Sequence, residues 1–301
     1  MTRKKIVVTG ASGFVAGSVL HFGAMEHEIH AFSQGEGLLE HPHIHWHRIE
    51  IEDRACIEET IRSIQPDALI HVAAIADIDF CENNPDIARA VNVEYTHVLA
   101  EVCAAQSIRM VFVSTDNVYD GHDGSYTAKC AANPVNYYGQ TKVDAEAVVR
   151  ELLPDSVIAR LALVMGFPII GGGNSFVMRM IAQWEKGESV GVPDNEIRSP
   201  IDIVTAGHAL LELAIGDCRG VVLLGGADGL DRIDLVRQLA PAFGYASEMV
   251  HAFDPSNLPG RANRPVSVIF DMEESRAVLT TPIVGIAEVV ELLRPFQRNA
   301  D

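Results

Sequence analysis

Apolar runs alternate with amphipathic stretches along the first half of the chain. Residues 6–8 form a short β-branched run that ends at a glycine turn, a pattern typical of a buried strand. Similar runs predict strands at 28–32, 44–51, 68–74, 110–114 and 157–163. Helical patterns fall between them, at 15–22, 54–64, 87–105 and 137–152. Because strands and helices alternate, the chain is predicted to be an α/β protein with a doubly wound parallel sheet.

The alternation loosens after Val164. One apolar helix is predicted at 176–185 and one more core strand at 221–226, and the remainder is expected to be helical with proline-rich turns. The glycines at 171–173 are interpreted as a flexible loop over a substrate cleft. We predict a nucleotide-binding part from residues 1–165 and about 201–235, and a smaller C-terminal substrate-binding part from about 166–200 and 236–301.

Composition limits the classes of partner. The chain has 301 residues, 48% of them hydrophobic, and a formal net charge of −18, which repels nucleic acid and anionic membranes. A helix N-terminus could still bind a phosphorylated ligand locally. The five cysteines are scattered without a CxxC pair, and we expect neither a signal peptide nor a membrane span. A cytoplasmic protein without nucleic-acid or membrane partners is therefore predicted.

A glycine turn separates the first strand from the first helix. Gly10 permits the tight turn, and Gly13 lets the backbone approach a pyrophosphate at the helix N-terminus. The spacing is GxxGxxA rather than GxGxxG, with Ala16 at the position of close helix–strand packing. This turn predicts nucleotide binding.

The end of the second strand bears on the choice of dinucleotide. Ser33 and Gln34 stand where NAD enzymes place an acid for the ribose 2′-hydroxyl, and no arginine is adjacent in sequence. The missing acid favours NADP slightly, whereas Glu36 keeps NAD open.

A tyrosine and a lysine share one face of the predicted helix at 137–152. Tyr138 and Lys142 are four residues apart, whereas Tyr137 points elsewhere. A lysine ammonium next to a phenol should lower the tyrosine pKa and favour proton transfer to a carbonyl. Thr115 closes a neighbouring strand, from which its hydroxyl could reach the same substrate oxygen.

Several longer motifs point to one family. They are TGASGF at 9–14, PDALIHVAAIADIDFCENNPDIARAVN at 66–92, VSTDNVYDG at 113–121 and NPVNYYGQTKVDAE at 133–146. With weaker matches further on, the chain resembles the extended short-chain dehydrogenase/reductases, and among them the dTDP-4-dehydrorhamnose reductase family. The resemblance implies a Rossmann fold and NADP or NAD as cofactor.

The resemblance also implies roles for individual residues. Tyr138 would donate the proton, Lys142 would hold the nicotinamide ribose, and Thr115 would hydrogen-bond the carbonyl. The other implied cofactor residues are Gly10, Ser12, Gly13, Phe14 and Val15 at the pyrophosphate, Glu50 and Ile51 at the adenine, Ala73, Ala74 and Ala76 at the riboses, and Val113 and Ser114 near the nicotinamide. Asn92 would tie the central helix to a neighbouring strand.

The sequence therefore predicts an NAD(P)H-dependent reductase of a carbonyl on a sugar or nucleotide-sugar. Phe80 and Asn117 depart from the family pattern. They leave open a non-catalytic regulatory subunit, similar to the methionine adenosyltransferase beta subunit, and an epimerase is also open. A homodimer is suggested by family analogy alone. The histidines between 41 and 47 are interpreted as the solvated face of an edge strand, so no metal is predicted.

Overall fold

The computed structural model describes residues 3–171, 175–255 and 258–300. Two glycines of the predicted cleft loop, Gly172 and Gly173, lie outside the described residues. The strands are β1 (Lys5–Thr9), β2 (Glu28–Ser33), β3 (Ile44–Arg48), β4 (Ala68–His71), β5 (Arg109–Thr115), β6 (Gly124–Tyr126), β7 (Val157–Leu161), β8 (Val164–Met165), β9 (Val190–Pro193), β10 (Ile197–Arg198), β11 (Ile201–Asp202), β12 (Gly220–Leu224), β13 (Leu230–Asp231), β14 (Val250–Phe253) and β15 (Ser267–Phe270).

The helices lie mainly between these strands. They are α1 (Phe14–Glu26), α2 (Arg54–Ile64), α3 (Ile78–Asn83), α4 (Pro85–Arg89), α5 (Tyr95–Gln106), α6 (Tyr137–Leu152), α7 (Phe176–Glu185), α8 (Ile203–Ile215), α9 (Arg232–Ala242), α10 (Glu273–Val278) and α11 (Ile286–Leu293). Among the residues just described, each helix is too short or too polar to serve as a membrane span.

A seven-stranded parallel sheet forms the centre of the molecule, in the order β12-β7-β5-β4-β1-β2-β3. Both faces are covered, which explains the continuous apolar run of β1. Ile6 and Val8 pack toward α1 and α8, whereas Val7 packs toward α2, α5 and α6. The predicted doubly wound fold is confirmed, and the histidine-rich strand β3 lies at the sheet edge as predicted.

Strand β4 ends at His71, three residues before the end of the predicted strand at 74. The cause is a side-chain acceptor on the neighbouring strand. The backbone amides of Val72 and Ala73 each donate to the Thr9 hydroxyl oxygen, at 3.2 Å, instead of continuing the ladder of strand hydrogen bonds. The chain therefore leaves the sheet here and crosses its carboxyl edge.

The long helix predicted at 87–105 is interrupted. A π-helical segment, Ala90–Glu94, joins α4 to α5. It carries the fully buried Asn92, whose side chain bonds both backbone groups of Ile75, at 2.8 and 3.1 Å, and the hydroxyl of Thr141 at 3.0 Å. Asn92 was predicted to tie this helix to a neighbouring strand, but its partner Ile75 lies in the segment after β4. The π segment itself could not be predicted, because it does not alter the apolar periodicity of the sequence.

The prediction of a helical remainder is wrong, because short strands are interspersed with its helices. Strands β13, β10, β15 and β6 form a four-stranded sheet, and β14 pairs with β9. Each of these strands has two to four residues and a partner distant in sequence. The local pattern of apolar residues is therefore too short to predict them. Strand β6 also lies outside the range assigned to the substrate-binding part, and the two-part division of the chain stays a prediction.

Candidate active site

A cleft of about 970 Å³ opens at the carboxyl edge of the central sheet, where ligands bind in doubly wound folds. Most of the cofactor residues expected from the sequence line it. They are Gly10, Ser12, Gly13, Phe14, Val15, Ser33, Ile51, Ala73, Ala74 and Ala76. Residues at the ends of β1, β2, β3 and β4 all line the cleft, so it extends across four neighbouring strands, as a dinucleotide requires.

The glycine turn fits a pyrophosphate. Gly10 has φ of +63°, and a Cβ at this position would lie 2.7 Å from Cα of Ala73, so a side chain is excluded on both grounds. Helix α1 begins after Gly13 without any capping side chain. Its first backbone N–H groups therefore remain free to bind an anion in the cleft.

A buried hydrogen-bond network supports this turn from below. The fully buried His71 contacts the hydroxyl of Thr9 through Nδ1 at 2.7 Å and that of Thr96 through Nε2 at 2.9 Å. Thr9 already accepts two backbone amides, so its own proton goes to Nδ1. Thr96 donates to the carbonyl of Asn92, so Nε2 of His71 must carry the ring proton. His71 is thus a satisfied, neutral core histidine, and burial lowers its pKa well below the usual range.

The adenine side of the cleft differs in detail from the expectation. Glu50 does not line the cleft but forms an exposed ion pair with Arg48 at 3.3 Å, and Glu52 lines it instead. Arg48 is the register partner of Ser33 across the β2–β3 pair, so an arginine stands on the strand next to the position where NAD enzymes carry an acid. The pairing of Arg48 with Ser33 could not be predicted from the sequence, because Arg48 belongs to the next strand.

The catalytic candidates meet at the end of β5 and the start of α6. Asn136 caps α6 by accepting the amide of Gly139 at 2.8 Å, which fixes the first turn. A Cβ on Gly139 would lie 2.2 Å from the carbonyl oxygen of Asn117, so only glycine allows the helix to approach the turn after β5 this closely. The turn places Tyr138, which is 8% exposed, in contact with Thr115.

Burial dominates the protonation of the pair. It raises the pKa of Tyr138 above its usual value, although the contact with the Thr115 side chain partly offsets this. The predicted lowering of the Tyr138 pKa is therefore wrong for this structure. Lys142 is itself buried, with Nζ 4.1 Å from the ring centroid of Phe112, and burial lowers its pKa to about 7 although the charge of Glu146 raises it.

A buried ion pair stands one helical turn beyond Lys142. Glu146, with no exposed side-chain surface, accepts from Nε and Nη2 of Arg160 at 2.9 and 2.8 Å and from the hydroxyl of Ser114 at 2.6 Å. Ser114 is thereby turned into this network, and Val113 packs into the core of the sheet. Neither Val113 nor Ser114 lines the cleft.

Sequence reasoning missed Asp116, which follows Thr115 directly. It is buried, accepts from the Thr115 hydroxyl at 3.2 Å and from the Asn117 amide at 2.9 Å, and lies 3.4 Å from Nε of Arg198. Burial raises the pKa of Asp116, and the Arg198 guanidinium opposes this rise. The signal was the polar triplet Ser-Thr-Asp closing an apolar strand, whereas Arg198 could not be paired with it from sequence.

Further cleft residues also escaped notice. They are Phe32, Gly35, Ile49, Glu52, Val72, Ile75, Asp77, Ile87, Val91, Tyr95, Leu163 and Val164, whereas Gln34, which the sequence placed beside Ser33, also lines the cleft. Most of them follow a strand of the central sheet, so the rule that ligands bind beyond the carboxyl ends of strands could have found them. Within the described part of the chain, no group of three or more metal-binding side chains has the geometry of a metal site.

A dinucleotide cleft beside a buried tyrosine–lysine pair defines an NAD(P)-dependent oxidoreductase of the short-chain dehydrogenase/reductase type. The chain belongs to the family described as the RmlD substrate binding domain, whose model matches residues 4–293. The resemblance to dTDP-4-dehydrorhamnose reductases that the motifs indicated is confirmed at the family level.

Three relatives illustrate the range of the family. The chain is 27% identical to the probable low-salt glycan biosynthesis reductase Agl14 of Haloferax volcanii, over 86% of each chain. It is 28% identical to dTDP-4-dehydrorhamnose reductase of Mycolicibacterium smegmatis, over 96% of this chain and 84% of the relative. It is also 26% identical to methionine adenosyltransferase 2 subunit beta of Pongo abelii, over 89% and 80%.

Solved structures share the fold at lower identity. The dTDP-4-dehydrorhamnose reductase of Bacillus anthracis str. Ames, solved with NADP, has a TM-score of 0.85 at 21% identity, covering 98% of this chain and 99% of that chain. MoeE5, solved with UDP-glucuronic acid and NAD, has a TM-score of 0.83 at 20% identity, covering 99% and 100%.

Proposed function

We propose that this protein is an NAD(P)H-dependent reductase of a carbonyl on a sugar or nucleotide-sugar. The observation that carries the proposal is the contact between Tyr138 and Thr115 at the carboxyl edge of the sheet, with the buried Lys142 one helical turn further along α6. The relatives named as reductases of 4-keto sugars support the substrate class.

Each catalytic candidate has a distinct task in this proposal. Tyr138 would donate its phenol proton to the carbonyl oxygen, and its raised pKa keeps that proton in place until reaction. The Thr115 hydroxyl would hydrogen-bond the same oxygen. Lys142, with a pKa of about 7, would restore the proton of Tyr138 near neutral pH. The reduced nicotinamide, when bound, would supply the hydride to the carbonyl carbon.

The cofactor is proposed to be NADP or NAD, with a preference for NADP. The free N–H groups at the start of α1 would hold the pyrophosphate, and Ala73, Ala74 and Ala76 would flank the riboses. The preference rests on Arg48, which stands beside Ser33 where a 2′-phosphate would be bound. Binding of NADPH at least tenfold tighter than NADH would agree with this assignment.

The decisive test compares two neighbouring tyrosines. NADPH oxidation would be followed with dTDP-4-dehydrorhamnose for the wild type, Tyr138→Phe and Tyr137→Phe. We expect Tyr138→Phe to lose about 100- to 10,000-fold in kcat, as removal of a general acid does, while still binding NADPH. Tyr137→Phe should retain turnover, because its position on α6 turns its side chain about 100° away from that of Tyr138. Full turnover by Tyr138→Phe would refute the proposal.

A regulatory role is the second candidate. Its support is the similarity to the beta subunit of methionine adenosyltransferase 2, together with Phe80, which is 39% exposed on α3. NADPH binding without turnover, combined with altered activity of a co-purified partner enzyme, would favour this role. The homodimer and the cytoplasmic location suggested by the sequence stay predictions.

A further inference from the structure

The two hydroxyl groups proposed to bind the substrate carbonyl are covered in this structure. Thr115 and Tyr138 are both buried, and neither residue lines the cofactor cleft. For the proposed reduction, a carbonyl oxygen has to come within hydrogen-bond distance of both hydroxyls. Some part of the covering structure therefore has to move aside before a sugar can reach Tyr138.

Residues 262–265, here termed the strap, are bound to α3 through one carboxylate. The guanidinium of Arg264 donates to both oxygens of Asp79, from Nη1 to Oδ1 at 2.7 Å and from Nη2 to Oδ2 at 2.8 Å. Nη1 also donates to the carbonyl of Ala262 at 2.6 Å, and the amide of Ala262 donates to Oδ1 of Asp79 at 2.8 Å. Three hydrogen bonds therefore converge on Asp79 and fasten the strap to α3.

The strap also reaches the start of α6. Nδ2 of Asn136 donates to the carbonyl of Asn263 at 3.0 Å. Asn136 caps α6 two residues before Tyr138, and Tyr138 packs in a small apolar cluster with Cys81 of α3. Consecutive residues of the strap therefore bind the two elements between which Tyr138 is buried.

The chain that follows the strap is held in a different way. The amide of Ile197 donates to the carbonyl of Val266 at 2.8 Å, and β15, which begins at Ser267, pairs with β10 and β6. This backbone pairing opens only when the four-stranded sheet is disrupted, whereas the strap depends on the side chains of Asp79 and Asn136. The strap can therefore detach from α3 and α6 while its C-terminal end stays in place.

We propose that the strap closes the substrate side of the site over Tyr138, and that Asp79 and Arg264 are positioning residues that hold it closed. This inference rests on the proposed reductase function. The sugar would enter while the ion pair is open, and closure of the strap would then keep water away from the carbonyl and from Tyr138 during the reduction. The Asp79 side chain is 43% exposed, so the ion pair can separate without leaving a fully buried carboxylate unpaired.

The kinetic test uses NADPH and dTDP-4-dehydrorhamnose with Asp79→Ala, Arg264→Gln and the double variant. We expect each single variant to lower kcat/KM about tenfold, and the double variant to lose no more, because both changes remove one interaction. Arg264→Lys restores the charge but not the paired donors, so it should recover part of the loss. The Kd for NADPH should not change, because neither Asp79 nor Arg264 lines the cofactor cleft.

Asp67→Ala is the matched control. Asp67 is 40% exposed, pairs with Nζ of Lys4 at 2.8 Å and, like Asp79, also accepts a backbone amide. This pair lies at the amino ends of β1 and β4, at the opposite edge of the sheet from Tyr138, so Asp67→Ala should keep the kcat/KM of the wild type. If the pair of Asp79 with Arg264 only stabilised the fold, its variants would lower the urea midpoint and leave kcat/KM unchanged, and that result would overturn the inference.

Hydrogen exchange tests the strap without turnover. In Arg264→Gln the carboxylate of Asp79 is still present, so the amide of Ala262 loses its protection only if the strap opens. We expect this amide to exchange about tenfold faster than in the wild type, and an unchanged rate would contradict the inference. Faster exchange in the variant, combined with no wild-type turnover on any keto sugar, would count against the proposed reductase while supporting the strap.

Discussion

Lys142 should reduce the stability of the folded protein in a pH-dependent way. Its side chain is 2% exposed, and burial lowers its pKa from 10.5 to about 7. Between these values the unfolded chain binds more protons than the folded one, so stability rises with pH across this interval. At pH 6 the buried lysine costs the folded state about 5 kcal/mol, and at pH 9 it costs about 2 kcal/mol.

The perturbation is Lys142→Met, which keeps most of the side-chain volume and removes the titrating amine. Urea unfolding would be measured for the wild type and the variant at pH 6 and pH 9. We expect the variant to be more stable at both values, by about 5 kcal/mol at pH 6 and about 2 kcal/mol at pH 9, because the penalty of burying the ammonium is gone. Activity should be lost, because the variant gains stability by removing a side chain that catalysis needs.

A surface lysine serves as the matched control. Lys186 is exposed at the end of α7, and Lys186→Met should change stability little and equally at both pH values. The reasoning is refuted if the stability gain of Lys142→Met is the same at pH 6 and pH 9. It is equally refuted if the variant is less stable than the wild type at pH 6.

Two further predictions concern charged side chains. Arg48→Leu should raise the Kd for NADPH about tenfold and leave that for NADH unchanged, because Arg48, the register partner of Ser33, would bind only the 2′-phosphate. Fluorescence titration with both cofactors checks this, and equal weakening would contradict it. Arg160→Met should destabilise the protein by about 3 kcal/mol, because it leaves the buried Glu146 short of its main partner. Arg150→Met removes a half-exposed partner of the same carboxylate and should cost less than about 1 kcal/mol in urea unfolding, so equal losses would count against the explanation.

The parts of the fold that could be predicted are those whose apolar residues recur at the spacing of a strand or a helix. Strands β1 to β5 and helices α2, α6 and α7 follow from apolar runs and helical spacing, because each buries a repeated apolar face in one of the hydrophobic clusters. The neighbourhood of Thr115 and Tyr138 follows from strand order, since the carboxyl ends of parallel strands meet at one edge. Strands such as β10 and β13, two residues each, depend on distant partners and could not be read locally.

The errors at the site have physical causes of the same kind. The sequence spacing of Tyr138 and Lys142 is correct, but spacing does not report burial, and burial decides the pKa of both. Glu50 was assigned to the adenine by resemblance to the family, but in this chain its carboxylate pairs with Arg48 at the surface and Glu52 lines the cleft. The partnership of Asp116 with Arg198 joins two distant segments, which no local pattern reveals.

The buried contacts of His71 have a consequence for proton movement. The three hydrogen bonds of this network all run in one direction. Thr9 donates to Nδ1 of His71, Nε2 of His71 donates to Thr96, and Thr96 donates to the carbonyl of Asn92. A hydrogen-bonded path that transfers protons must end in a group that can release a proton, and an amide carbonyl has no proton to release. The network therefore has a structural role only, and it connects the first strand to the central helix. The imidazole at its centre, although close to the cofactor cleft, should be silent in the pH dependence of catalysis.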